Sequence, residues 1–264
     1  MNQYTIILLA GTIMAMSACK KDSDDTPTGD TQASSFSLTF FMKHLVSGDS
    51  LELDTMKYTN AFGNLYKVEN LKYLISNITL HKTDGSCVEL TGYHYVDIHD
   101  PSTLEYTPDI KAPIGEYEKI TFTMGFDEMD NITAAYQDLN ALNWGWPMML
   151  GGGYHFMKLE GKYNDTNGVP QNFATHYGTA REITPTDTTF HLNHFTAELA
   201  DAEFHVDAEV HIDINMDINN WYNGPPAWDF NVWNGPIMPI YEAQVALRTQ
   251  GYDVFSIGDI EDQH

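Results

Sequence analysis

Between Phe204 and Met216 the chain alternates without interruption. Phe204, Val206, Ala208, Val210, Ile212, Ile214 and Met216 share one parity, and His205, Asp207, Glu209, His211, Asp213 and Asn215 the other. Successive strand side chains point to opposite faces, so this segment is satisfied only by a sheet with one packed and one wet face. Such one-sided sheets are antiparallel, because the strands of doubly wound sheets are covered on both sides. Shorter alternating or apolar runs recur at 36–41, 71–81, 87–90, 93–98, 117–124, 154–159, 171–177 and 188–192. Between the second and third of these, Lys82-Thr83-Asp84-Gly85 predicts a hairpin, since Asp-Gly supplies the positive φ angles of a tight turn. Helix is expected only in short pieces, at 134–142 and 238–249, and there is no internal repeat. The pattern predicts a mostly β chain: an antiparallel β-sandwich with short helical pieces and long loops.

The N-terminus is of a different kind. An apolar run over 6–16 leads into Met16-Ser17-Ala18-Cys19 and then the polar Lys20-Lys21-Asp22-Ser23-Asp24-Asp25. An apolar core closed by small residues before a cysteine resembles a bacterial lipobox, with residues 1–18 as signal peptide and Cys19 as the lipidated first residue of the mature protein. The run is shorter than the roughly 20 apolar residues a spanning helix needs. Residues 19–35 are too polar to bury a core and are expected to form a flexible tether, leaving 36–264 as a single domain. The acidic stretch after Cys19 resembles the surface-export signals of Bacteroidetes lipoproteins. The expected address is therefore the outer membrane, held through the lipid anchor, either cell-surface exposed or on the periplasmic face.

Thirteen basic residues against 37 acidic give a formal charge of −24, which excludes nucleic acid as a partner because a polyanion would be repelled. The same charge suits cations, and equally serves solubility. With only two cysteines, one of them the lipidated Cys19, no disulfide framework is expected, and Cys87 is expected to be a half-buried structural thiol.

Eleven histidines invite a metal hypothesis, although no HExxH, CxxC or EF-hand pattern occurs. His205 and His211 share a strand face but stand about 20 Å apart by strand rise, too far for one ion. His191 and His194, at odd spacing, point to opposite faces unless the strand ends between them. Between Leu142 and Gly161, Trp144, Trp146, Met148 and Met149 precede a triple glycine, Tyr154 and His155. Thioether and imidazole donors suit Cu(I), while the same aromatics and methionines would equally serve as core. Three tryptophans and four prolines in 221–239 mark an ordered irregular loop. Its Trp221, Tyr222, Trp228 and Trp233 either stack on a glycan or partner protein, or plug the sheet edge. A nucleophile elbow, a phosphate loop and a dinucleotide fingerprint are all missing, so no enzyme is expected.

One ordered series carries a resemblance: Asn70-Leu71-Lys72-Tyr73-Leu74-Ile75-Ser76-Asn77-Ile78-Thr79-Leu80; Asp84-Gly85; Gly115-Glu116-Tyr117-Glu118-Lys119-Ile120-Thr121-Phe122-Thr123-Met124-Gly125; Trp144-Gly145-Trp146; Gly153-Tyr154-His155-Phe156; and Phe173-Ala174-Thr175-His176-Tyr177-Gly178. It resembles the MbnP family over nearly all of the chain from Phe36 onward, and Gly251-Tyr252-Asp253-Val254-Phe255-Ser256 resembles the end of Bacteroidetes members. The resemblance implies an exported β-rich protein of copper homeostasis, associated with methanobactin and binding copper through histidines. In some members a tryptophan is oxidised to kynurenine by a di-haem MauG-like partner. His176 matches the histidine of Phe-x-x-His-x-Gly, Trp144 and Trp146 match Trp-x-Trp, and His155 takes the variable position of Gly-Tyr-x-Phe. The implied metal residues are thus His176 and His155, with Trp144 or Trp146 as the oxidised or site-lining aromatic and Met148, Met149 and Tyr154 lining the site. The chain departs from methylotroph members at Thr179-Ala180-Arg181-Glu182, where they carry Ser-Thr-Gly-Cys, and lacks a second family histidine in 127–132.

The expected function is non-catalytic copper acquisition or homeostasis, with a di-haem enzyme or outer-membrane receptor as partner. The alternative is an outer-membrane lipoprotein that docks a protein or glycan through exposed aromatics. Imidazole ligands predict copper binding that weakens as pH falls through roughly 6.5.

Overall fold

The computed structural model describes residues 34–200 and 202–263. The leader, Cys19 and the tether up to residue 33 lie outside the described residues. Ser34 and Ser35 are already engaged, because Ser35–Phe36 pairs with Ala112–Pro113.

The main strands are β1 (Leu38–Val46), β2 (Leu65–Lys82), β3 (Cys87–Asp97), β4 (Gly115–Met124), β5 (Met157–Asn164), β6 (Pro170–Tyr177), β7 (Ala180–Ile183), β8 (Thr188–His191), β9 (Phe195–Leu199), β10 (Phe204–Val206), β11 (Glu209–Asp217) and β12 (Phe255–Gln263). Two short helices, α1 (Gln137–Ala141) and α2 (Tyr241–Gly251), complete the frame. The larger sheet is built on β2. Tyr73 pairs with both β5 and β3, and Ile75 with both β3 and β4, so β5 and β4 share one edge of β2 while β3 takes the other. The exchange occurs at Leu74, whose N–H donates to Phe156 O and whose carbonyl accepts from Gly125 N. Beyond these, β6 flanks β5, and β9 and β10 flank β4. The smaller sheet runs β12–β11–β1.

The long alternating segment is not one strand. It breaks at Asp207-Ala208, so that β10 pairs with β4 in the larger sheet and β11 with β1 and β12 in the smaller. Its parity survives because both halves turn the same apolar face to the core between the sheets. There Phe255 meets Phe122 at 4.9 Å and Tyr73 at 6.4 Å between ring centroids. Among the described residues the strands of the sandwich pair antiparallel with one exception: β11 runs parallel to β1. Parallel neighbours need a long connection, and here nearly the whole larger sheet supplies it.

Local chemistry delays the start of both helices relative to the sequence expectation, and α2 runs two residues further, to Gly251. Ala134 is left-handed at φ 62°, which delays α1 to Gln137. Pro239 disfavours helical geometry at Met238, and α2 starts only after Ile240. The tryptophan-rich loop is a plug: Trp221, Tyr222 and Trp228 are fully buried, and Trp233 packs on Trp228 at 4.6 Å. Trp221, Tyr222 and Trp228 therefore offer no stacking platform, which corrects the reading of them as exposed docking residues, and Trp233 is half-buried against them. A second apolar layer covers the other face of the larger sheet. Leu74, Phe126, Leu139, Trp144 and Tyr154, flanked by Tyr93, Tyr95 and Tyr136, are brought together by the chain between Gly125 and Phe156 folding back over β2 and β3. Its return delivers His155 to the start of β5.

Candidate metal centre

In the register of β5 and β6, Lys158 lies opposite His176 and Glu160 opposite Ala174, all on the half-exposed outer face. Against β2 the register slips: Glu160 pairs with Asn70 but Gly161 with Val68, leaving Glu69 as the extra residue of a bulge. Gly161 is required there because a Cβ would stand 2.0 Å from the Lys67 carbonyl oxygen. The bulge breaks the alternation of β2 and turns Asn70 outward, where its Nδ2 donates to Glu160 Oε2 at 3.0 Å. The other carboxylate oxygen accepts from His176 Nε2 at 2.7 Å. Chiefly through that bond, the Glu160 carboxyl is held down at about 2. An ionised carboxylate only accepts, so Nε2 carries the proton of His176 and Nδ1 is the lone-pair nitrogen of the neutral ring.

His155 is oriented by its own loop. Gly145 and Tyr154 form an isolated bridge, and His155 N donates to Trp144 O. The same carbonyl accepts from His155 Nδ1 at 2.9 Å, which leaves Nε2 as the lone-pair nitrogen. The ring is 6% exposed, wedged between Trp144 at 5.5 Å and Trp146 at 4.9 Å, and lies 5.4 Å from the His176 ring at an interplanar angle of 80°. Burial, helped by the nearby Lys158 charge, pushes its pKa down to about 3. Lys158 itself sits 4.7 Å over the Trp144 ring, and burial lowers its pKa as well.

The motif glycines and α2 hold this geometry. A Cβ on Gly178 would stand 2.7 Å from the Trp146 ring, so glycine lets the indole lie against the end of β6. Gly178 N donates to Gln244 Oε1, and Gln244 Nε2 donates to His176 O at 2.8 Å, tying α2 to the histidine. Other candidates fall elsewhere. Tyr154 belongs to the buried aromatic layer, where its hydroxyl accepts from Tyr136 N and donates to Asn140 Oδ1. Met148 and Met149 are 70% and 74% exposed and stand on the surface rather than lining the centre. Trp146 Nε1 donates to Leu150 O, whereas the buried Trp144 Nε1 has no acceptor among the described residues. His191 faces Glu182 and His205 faces Glu116 across strand pairs, while His211 faces Glu209 on its own strand, so the three histidines stand apart on β8, β10 and β11. No group of three or more His, Cys, Asp or Glu among the described residues is placed to hold a metal ion. Sequence reading missed Glu160, Asn70 and Gln244. Only the outward parity of Glu160 on its strand could have pointed to the first.

The depressed His155 pKa has a measurable consequence. In the unfolded chain an imidazole titrates near 6.5, in the fold near 3. The unfolded state therefore binds the extra proton between those values, and stability falls as pH drops through that window. At pH 4 the loss from this ring is about 3 kcal/mol. Denaturant unfolding at pH 7 and pH 4 is expected to show a smaller acid loss in His155→Gln than in the wild type, and equal losses would refute the assignment.

A comparison with curated proteins returned no match. Among solved structures, MbnP from Methylosinus trichosporium superposes with a TM-score of 0.52 at 13% identity, covering 73% of this chain and 78% of that one. At that identity the likeness concerns the fold. The MbnP family profile matches residues 35–238, a span that contains both sheets' central strands, His155 and His176. The chain belongs to the MbnP family.

Proposed function

We propose that this is an exported, lipid-anchored, non-catalytic protein that binds copper through His155 and His176 and serves copper acquisition or homeostasis. One observation carries the reading. Each imidazole has one N–H fixed by an outer acceptor, Trp144 O for His155 and Glu160 for His176, which leaves Nε2 of the first and Nδ1 of the second with their lone pairs. Metal-ligating histidines are oriented in this way, by a carbonyl or carboxylate on the nitrogen that does not bind. The perturbed pKa values of His155, Glu160 and Lys158 in one place add the usual signature of a functional site.

The donor set fits copper. Two imidazoles among indoles, without a third ligand of carboxylate or thiolate type among the described residues, suit a soft ion of low coordination number rather than a hard cation seeking oxygen ligands. Copper, when bound, supplies a soft Lewis acid to be stored or passed on. The protein's own residues do the rest: Trp144 and Trp146 shield His155 from water, and ionised Glu160 offsets positive charge beside His176. Because His155 stays neutral to about pH 3, proton competition near pH 6.5 does not arise at this ring. In this reading Cys19 anchors the protein to the outer membrane. A di-haem MauG-like enzyme or an outer-membrane receptor is the partner, with the two indoles packed on His155 as the groups an oxidation would reach.

The test is metal analysis and Cu(I) titration of the protein without its leader, in the wild type and in His176→Ala. One tightly bound equivalent in the wild type, lost in the variant, is expected. Equal, weak uptake by both would overturn the proposal.

A further inference from the structure

A groove of about 310 Å³ opens beside His176. Asn172, Ala174 and His176, the outward row of β6, form one wall, and Asn234, Pro236 and Met238 of the following loop face them. The loop is held in place at three points. Ala174 N donates to Asn234 O at 3.0 Å, Asn234 Nδ2 donates to Tyr163 Oη at 2.7 Å, and Gln244 Nε2 reaches both His176 O and, at 3.4 Å, Ile237 O. One amide thus ties the histidine and the residue before Met238 to the same point of α2. The groove lining includes no carboxylate, and its soft donors are the His176 imidazole and the Met238 thioether. Met238 is half-buried, in contrast to the surface methionines Met148 and Met149.

We infer that Met238 is a thioether ligand of the copper centre and sets its preference for Cu(I) over divalent ions. The inference rests on the copper reading of His155 and His176 and adds a sulfur to it. A thioether favours Cu(I) and contributes little to Zn(II), which imidazole alone already satisfies. Three rotatable bonds let methionine adapt its sulfur position without moving the anchored backbone. Its place on the loop over β6, far from the motif that carries His155, explains why no local spacing reveals it.

The experiment compares Cu(I) and Zn(II) affinities of the wild type and Met238→Leu by chelator competition, with copper-edge X-ray absorption on the Cu(I)-loaded proteins. The expected result is a loss of about tenfold or more in Cu(I) affinity, unchanged Zn(II) affinity, and a sulfur scatterer present in the wild type and gone in the variant. The Zn(II) affinity doubles as the check that the imidazole pair is intact. Equal Cu(I) affinities, or a sulfur signal missing from the wild type or persisting in the variant, would overturn the inference while leaving the histidine site standing. A wild type that takes up no Cu(I) would overturn the copper reading itself.

Discussion

Replacing His155 by glutamine, which keeps most of the side-chain volume, is expected to lower Cu(I) affinity by about a hundredfold or more, measured by competition with a chromophoric chelator. The magnitude follows from a comparison within the site. Removing an outer partner of a ligating histidine typically costs about 10- to 100-fold, so removing one of two imidazoles must cost at least as much. Glu160→Gln supplies the lower rung. It keeps the shape and the contact with Asn70 but loses the charge that enforces the Nε2–H tautomer of His176, so a loss of about tenfold or more is expected. Wild-type affinity in His155→Gln would remove this ring from the centre. Wild-type affinity in Glu160→Gln would remove the argument from outer acceptors, on which the functional reading depends.

The largest effect on stability is expected from Gly161→Ala. The added Cβ would sit 2.0 Å from the Lys67 carbonyl oxygen and 2.9 Å from the Phe173 ring. The first obstacle is backbone of β2, and β5 is paired on both sides, so neither partner can yield without opening the sheet. Interiors packed at crystal-like density absorb such an overlap only by unfolding locally. A loss of more than about 4 kcal/mol is expected, read as a large fall in the thermal midpoint or a failure to accumulate folded protein. Gly145→Ala is the control, since a Cβ there meets nothing within 4 Å. A near-native midpoint for Gly161→Ala would show that the bulge does not place β5 as described, and with it the position of Glu160 beside His176.

Much of this architecture was legible in the chain itself. Every residue from Phe204 to Met216 keeps the expected parity with respect to the core, with Ala208 half-buried at the break, even though the segment serves two sheets. The hairpin between β2 and β3 turns at Asp84-Gly85 as expected, although of the two only Gly85 takes a positive φ, at 84°. The motif histidines and tryptophans could be named as candidates. Burial, however, separated Trp144 and Trp146, which pack on His155, from Met148 and Met149, which face solvent a few positions later. Composition likewise left Trp221 and Trp228 open between docking platform and plug, and packing made them core.

What the amino-acid sequence alone determined was which side of the sheet each residue faces and where the chain turns, because these are relations between covalent neighbours imposed by backbone geometry. What tertiary structure decided was which residues meet. His155 approaches His176 only because a long loop folds back across the larger sheet, and Asn70 reaches Glu160 only because Glu69 bulges. Both depend on the register between strands distant in the chain, and the spacing of residues along a single strand carries no record of that register.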